Sequence, residues 1–187
     1  MRWPILAILA VSHPVLADGA YVSESLGGAN YDGDLARFGG GAPRVQLAGG
    51  YVHGPWAVEL SVTGLVPDLF FIDCYGAECA SAAAPALSMT VVGLDVRRAW
   101  RVIYSTWTNK IGLDFVLHGG PRTYVADDAL AGYRGFGIGG GAAFDLNLKV
   151  FSMFVDFSTD LVELHGDGDT YLGRLPSVMV GGRLGWM

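Results

Sequence analysis

Charge, cysteine and long apolar runs are all scarce in this chain, and each shortage removes a class of protein. Charged residues make up 16% of its 187 residues, well under the ~25% usual for soluble domains. After residue 17 no stretch offers the uninterrupted apolar run of a membrane-spanning helix. The two cysteines, in Cys74-Tyr-Gly-Ala-Glu-Cys79, match neither a C-x-x-C redox motif nor a four-ligand zinc site. Basic residues are short as well. With Arg2 removed, 11 face 18 acidic ones, a net charge of −7 that argues against a nucleic-acid partner. Glycine is the opposite case: 28 residues, about twice the usual ~7% share, without the G-X-Y period of collagen. The 51% hydrophobic share excludes a disordered chain. An apolar, glycine-rich, weakly charged chain with no spanning helix has one way across a membrane, the closed β-barrel.

The N-terminus reads as an address. Met1-Arg2 is a short positive region, Trp3 to Leu16 is mostly apolar, and Val15-Leu16-Ala17 before Asp18 fits a small-residue cleavage site. Pro4 and Pro14 argue against a core helix. Residues 1–17 therefore read as a signal peptide and 18–187 as one barrel domain. No cysteine follows the cleavage site, so no lipid anchor is expected. In an oxidising compartment the lone pair Cys74 and Cys79, with Gly76 between them, is expected to form a disulfide that pins its own loop.

Period-two alternation dominates the rest. Its clearest case is Trp56-Ala-Val58-Glu-Leu60-Ser-Val62-Thr; Phe136 to Leu148 repeats it with glycine on the second face. Similar stretches run around 45–51, 111–117, 151–158 and 178–186. Two weaker ones complete the set: 20–30, with Glu24 in its middle, and 87–98. In the latter the apolar phase shifts from Leu87, Met89 and Val91 to Val92, Leu94 and Val96, which suggests a bulge. Eight strands follow. Long loops are expected near 31–42, 66–86, 119–134 and 164–176, and short turns at Gly54-Pro55 and Lys149, with an intermediate connection near 99–106. Such alternation of loop lengths is what outer-membrane barrels show.

The aromatic placement agrees. Trp56, Trp100, Trp107 and Trp186 all fall at the short-turn end, and Tyr51 joins them, as an interfacial girdle would. A soluble lipocalin-like ligand-binding barrel is the competing architecture. Its outer face would carry plentiful charge, whereas here the second face is Gly, Ala, Ser and a few ions, suited to a narrow packed lumen.

These features resemble the small OmpA/OmpX-type, opacity-like outer-membrane barrels: a signal peptide, eight strands, a Gly-alternating sixth strand and a last strand ending in an aromatic. The sequence departs from that pattern in having Met187 after Trp186. The resemblance implies an all-β, eight-stranded antiparallel up-and-down transmembrane barrel in a bacterial outer membrane. It further implies contact with outer-membrane lipid, recognition by the barrel-insertion machinery, and a structural or adhesive role through long extracellular loops toward an unspecified ligand. Lipid-modifying enzymes also occur among such barrels. Lipid A deacylases show a His-x-Ser pair with a carboxylate, but the histidines here read His53-Gly-Pro, His118-Gly-Gly and His165-Gly-Asp. Ser152 or Ser158 with Asp156 has no histidine nearby in sequence, so no enzyme activity is expected. His118-Gly-Gly-Pro121 reads instead as a strand leaving the membrane.

Asp32-Gly-Asp34 and Asp167-Gly-Asp169 each offer two carboxylates around a turn, the donors that hard cations take. Neither continues into an EF-hand, and Asp-Gly is ordinary turn chemistry. They are expected to be solvated acidic turns, with Asp127-Asp128 adding to a negative rim, and no metal or other cofactor is implied. Phe70-Phe71 is expected to pack on loop or upper-barrel residues. The lumen should hold Glu24, Glu59, Asp114, Asp156 and Arg183, since a lone charge there is disfavoured. The expected bridge is Arg183–Glu59 or Arg183–Glu24.

Overall fold

Alternating residues become strand almost throughout. The computed structural model describes residues 18–66, 87–104, 111–148 and 151–186. Nine strands follow in chain order: β1 (Gly19–Asn30), β2 (Asp32–Gly33), β3 (Gly41–His53), β4 (Trp56–Leu65), β5 (Leu87–Tyr104), β6 (Ile111–Asp128), β7 (Arg134–Leu148), β8 (Phe151–Gly166) and β9 (Asp169–Trp186). A 3-10 helix, Asp34–Phe38, separates β2 from β3. Eight strands pair antiparallel with their sequence neighbours, and β1 also pairs with β9, so the sheet closes on itself. The two-residue β2 is an addition on β9, with Asp32 opposite Arg174 and Gly33 opposite Gly173.

Two tight turns show why the strands reverse where they do. At one end Gly54-Pro55 joins β3 to β4, with His53 opposite Trp56 and Gly54 at φ 56°. That is the positive φ a two-residue hairpin needs at its first position. At the other end Asp167 and Gly168 have φ 47° and 88°, the pair of positive values of a type I′ hairpin. The first end is called the turn end below, the second the hairpin end.

The expected loops at 119–134 and 164–176 are replaced by strand. β6 runs to Asp128 and β7 resumes at Arg134; β8 and β9 are joined by the two residues Asp167-Gly168 alone. Cross-strand pairing from both neighbours overrides the breaker signal of Gly119-Gly120-Pro121. The β5–β6 register is continuous across them, with Gly93 opposite Arg122 and Val96 opposite Gly119. His118 is therefore mid-strand, not at a strand exit. The expected bulge within 87–98 is also absent; the register breaks between Arg101 and Ile103. Leu87, Met89 and Val91 all point inward and Val92, Leu94 and Val96 outward, so the apolar phase changes because the interior itself changes character.

Inside the hairpin end lies an apolar cluster of Tyr31, Leu35, Leu65, Leu87, Met89, Val91, Tyr124, Leu164 and Leu175. The 3-10 helix caps it: Leu35 is fully buried, and a Cβ on Gly173 would lie 2.6 Å from its Cγ, so that glycine is the socket for the leucine. Towards the turn end the interior is polar, and small residues of one strand make room for long residues of another. A Cβ on Gly139 would meet Arg122 Nε at 2.9 Å, and one on Gly93 would meet Arg122 Nη1 at 2.7 Å.

Overpacking this interior has a measurable cost. Gly139→Val should lower stability by about 1–3 kcal/mol, read as an earlier urea midpoint in lipid vesicles. An unchanged midpoint would mean that Asp160, whose Oδ1 a Cβ there would meet, and Arg122 can both move aside freely.

Candidate functional site

The polar part of the interior is the one concentrated chemical feature of the described residues. Because side chains alternate along each strand, every second residue of the wall points into the lumen. Those positions carry five arginines (Arg44, Arg97, Arg101, Arg122, Arg183), six carboxylates (Glu59, Asp95, Asp114, Asp145, Asp156, Asp160) and His118.

They pair in a connected set. Arg97 Nη1 donates to Glu59 Oε1 at 3.0 Å and Oε2 at 3.2 Å, and the Tyr21 hydroxyl donates to Glu59 Oε2 at 2.8 Å. Arg122 Nη2 donates to both oxygens of Asp95 at 2.8 Å. Asp160 lies between two cations, 3.7 Å from Arg122 Nε and 3.6 Å from Arg44 Nη2, while Arg44 Nη1 donates to Ser177 Oγ at 2.8 Å. Arg183 Nη1 donates to Asp145 Oδ2 at 2.6 Å, and its guanidinium stacks over Tyr21 and Phe154 at 4.8 and 5.2 Å. Arg101 holds Asp114, which also accepts from Asn147 Nδ2 at 2.8 Å. His118 Nε2 is 2.7 Å from Asp156 Oδ2, and its Nδ1 is 3.8 Å from Asp95 Oδ1. Each charge faces an opposite one, the condition under which buried charges are tolerated.

Four of the five expected lumen residues are there: Glu59, Asp114, Asp156 and Arg183. Glu24 is not. It is exposed and shares the outward phase with Val22 and Leu26, a phase that the Tyr21–Glu59 contact on the opposite face confirms. The expected Arg183–Glu59 or Arg183–Glu24 bridge is likewise corrected. Glu59 is taken by Arg97 from the adjacent β5 and by Tyr21 from β1, two strands away, and Arg183 reaches Asp145 past the small Ser152, its own neighbour on β8. Strands one or two positions away already offer Glu59 and Arg183 their partners, although Arg44 on β3 does reach Asp160 on β8, three strands round the ring. Asp95 and Arg97 were legible in principle, because they share the phase of Leu87, Met89 and Val91 once no bulge interrupts β5.

Tyr51, Trp56 and Trp100 point outward at the turn end. Arg98 lies over both indoles at 4.9 Å, and Trp100, Phe115 and Phe144 continue as a ring-to-ring row at 6.1 and 5.5 Å. Trp107, the side chain of Trp186, Cys74, Cys79, Phe70 and Phe71 lie outside the described residues.

The acidic turns serve the backbone. Asp32 pairs with Arg174 and accepts the Gly33 N–H at 2.7 Å; Asp34 accepts the Leu172 N–H at 3.1 Å and pairs with Arg37 at 3.4 Å. Both thus tie the capping segment to β9. Asp167 forms the β8–β9 hairpin turn and Asp169 opens β9 opposite Gly166. Among the described residues no group of three His, Cys, Asp or Glu is placed to hold a metal ion. The histidines also have other partners than serine: carboxylates at both ring nitrogens of His118, Thr170 and Glu163 at His165, Asp18 at His53. Ser158 bonds Ser177 at 3.0 Å.

No protein-family model matches the sequence, and no curated protein sequence matches it. Solved structures do. Neisserial surface protein A superposes with a TM-score of 0.58 at 12% identity, over 89% of this chain and 96% of that one. The chain has the fold of the small eight-stranded outer-membrane β-barrels. Other similar structures are the N-terminal β-barrel domain of Pseudomonas aeruginosa OprF (14% identity, 90% and 100% covered, TM-score 0.47) and Yersinia pestis Ail in complex with the heparin analogue sucrose octasulfate (12%, 91% and 100%, TM-score 0.49). At 12% identity the likeness to Neisserial surface protein A speaks for the barrel fold and for nothing finer.

The cap's attachment should be acid-sensitive. The Gly33 N–H and the Arg174 guanidinium hold the Asp32 carboxyl below its ordinary value. Such a group contributes fully above the unfolded carboxylate value of ~3.9 and loses its contribution as pH falls through the lowered one. Amide exchange at Gly33 and Gly173 is expected to quicken in that acid range before the barrel strands do. Simultaneous loss of protection throughout would contradict a locally held cap.

Proposed function

We propose that this chain is an outer-membrane barrel with a closed lumen. It would be exported through cleavage after Ala17 and act at the cell surface as a structural or interaction module, not as a catalyst. The observation that carries the reading is the polarity of the wall. Large apolar side chains face outward and stay exposed, among them Phe136 at 72%, Leu47 at 64%, Ile138 at 60% and Leu60 at 57%. Charge is turned inward. A soluble exported barrel needs the reverse, and an apolar belt around a whole molecule far exceeds the few hundred Å² that monomers leave open to water. Lipid chains are the solvent that such a wall fits, with Trp56, Trp100 and Tyr51 at one boundary.

The lumen supports a closed state. Arginine–carboxylate pairs fill its polar part, and the Tyr31–Leu35–Leu65–Leu87 cluster stops the hairpin end. Among the described residues, interaction with an outside partner would fall to the β6–β7 and β8–β9 hairpins, whose tips carry Asp127, Asp128, Glu163, Asp167 and Asp169. The expected long loops at these two places do not exist, because strand pairing continues beyond the apolar belt.

The tests are direct. The protein should fractionate with the outer membrane, begin at Asp18 by N-terminal sequencing, and leave the lipid A mass profile of the cell unchanged. Planar bilayers should show no large steady conductance; a constant open channel would overturn the closed lumen. A second expectation concerns Glu24, which has no hydrogen-bond or ion-pair partner among the described residues. Charge on a lipid-facing wall destabilises a barrel. Glu24→Leu should therefore raise the urea midpoint in vesicles by an amount worth roughly 1 kcal/mol, and a lowered midpoint would place Glu24 against something other than lipid.

A further inference from the structure

The inward charges do not balance without the histidine. Six carboxylates face five guanidiniums inside the barrel, among the described residues. His118 is the remaining basic group, beside the hydroxyls of the inward Tyr21 and Tyr124, and it sits where the surplus negative charge is. Its Nε2 is 2.7 Å from Asp156 on β8 and its Nδ1 is 3.8 Å from Asp95 on β5. Asp95 already shares Arg122 with Asp160, so that guanidinium serves two acids. Arg97, directly opposite His118 on β5, is committed to Glu59. Arg183 is committed to Asp145. On β7 the position opposite His118 is Gly141, which brings no side chain and leaves the imidazole free to cross that strand toward β8. Asp156 therefore has no guanidinium partner of its own among these pairs.

We propose that His118 is the sixth lumen cation: a standing imidazolium that staples β6 to Asp156 on β8 and Asp95 on β5, so that the closed lumen depends on one bound proton. Each nitrogen lies within ion-pair distance of a carboxylate oxygen without being aligned to hydrogen-bond it, so the attraction is Coulombic and only the imidazolium carries the charge that answers both aspartates. A neutral ring would present an unshared electron pair to one of the aspartates. Loss of the proton would also leave six acids against five bases in a space poorly screened by water, where like charges repel most strongly. The surplus negative charge can be relieved by letting water and cations in, which is an opening of the lumen. His165, the other histidine on the strands around His118, is exposed at the hairpin end of β8 against Thr170 and Glu163, so the proton on residue 118 is the titratable element of that closure; Glu59 and Asp145 stay paired with their arginines, and Asp160 keeps Arg44 and Arg122 within 3.6 and 3.7 Å.

The inference rests on the closed-lumen reading, and its tests separate the two. Protein labelled with nitrogen-15 at histidine and reconstituted in lipid nanodiscs should show both His118 ring nitrogens protonated at pH 7, the signal being assigned by its loss in His118→Gln. In planar bilayers the wild type should be closed at pH 7 and should begin to show cation-conducting openings in the alkaline range where the imidazolium signal disappears. His118→Gln should be open at pH 7, with an open fraction raised on the order of 100-fold, as removal of one partner of a buried pair implies. His118→Lys, which restores the charge, should remain closed and lose the pH dependence. A wild type that conducts steadily at pH 7 refutes the closed lumen itself. A closed wild type with a neutral His118 tautomer, or equal behaviour of the Gln and Lys variants, refutes the role of the proton. The nitrogen spectrum of the wild type decides even where a variant fails to assemble.

Discussion

Closure of the sheet, β1 against β9, is the constraint from which the other features follow. Ten consecutive residue pairs, from Ala20 opposite Trp186 to Ala29 opposite Ser177, join the first strand to the last. A ring has no free edge, so every barrel strand finds hydrogen-bond partners on both sides. Eight strands also set a bore just wide enough for side chains to fill. Apolar residues on one face and charges on the other then have only one arrangement compatible with an apolar surrounding: aliphatic side chains out, arginines and carboxylates in.

That bore dictates how the charges pair. Most of the long side chains meet partners on the next strand or the one beyond; Arg44 is the exception, reaching from β3 to Asp160 on β8. Arg97 therefore takes Glu59 on the adjacent strand, Arg122 takes Asp95, and Arg183 passes the small Ser152 to reach Asp145. Glycines on β7 and β5 provide the room, as at Gly139 and Gly93 beneath Arg122. The result is a polar interior that is costly to build one charge at a time but tolerable as a connected set.

The interior is layered along its axis, and the layers explain where the chain misleads a reader. In β5 the inward positions are Leu87, Met89 and Val91 near the hairpin end, then Gly93, Asp95 and Arg97 further in. The outward positions stay apolar beyond that change. A shift of apolar phase therefore marks the boundary between the apolar cap and the charged lumen and requires no bulge. Glu24 errs in the other direction: its phase with Val22 and Leu26 places it outward, although a carboxylate flanked by apolar residues invites the opposite assignment. Asp167-Gly168 is a hairpin signal written plainly in the sequence, obscured by its second acidic residue, Asp169, which gives it the look of a ligand loop.

The sequence by itself determined the eight-stranded up-and-down barrel, the outward phase of Tyr51, Trp56 and Trp100, and the inward phase of Glu59, Asp114, Asp156 and Arg183. All of these depend on period-two alternation and on aromatic placement, which are local and survive without knowledge of neighbours. Only the tertiary structure decided who pairs with whom, how far β6, β8 and β9 extend, and that the Asp32-Gly-Asp34 segment caps the barrel on β9. Pairing depends on the register between strands far apart in sequence, and strand length on hydrogen bonds from both neighbours. His118 shows the limit most clearly. Gly-Gly-Pro after it reads locally as a chain leaving its strand, yet continuous pairing with β5 and β7 keeps the strand intact and turns the imidazole between Asp95 and Asp156.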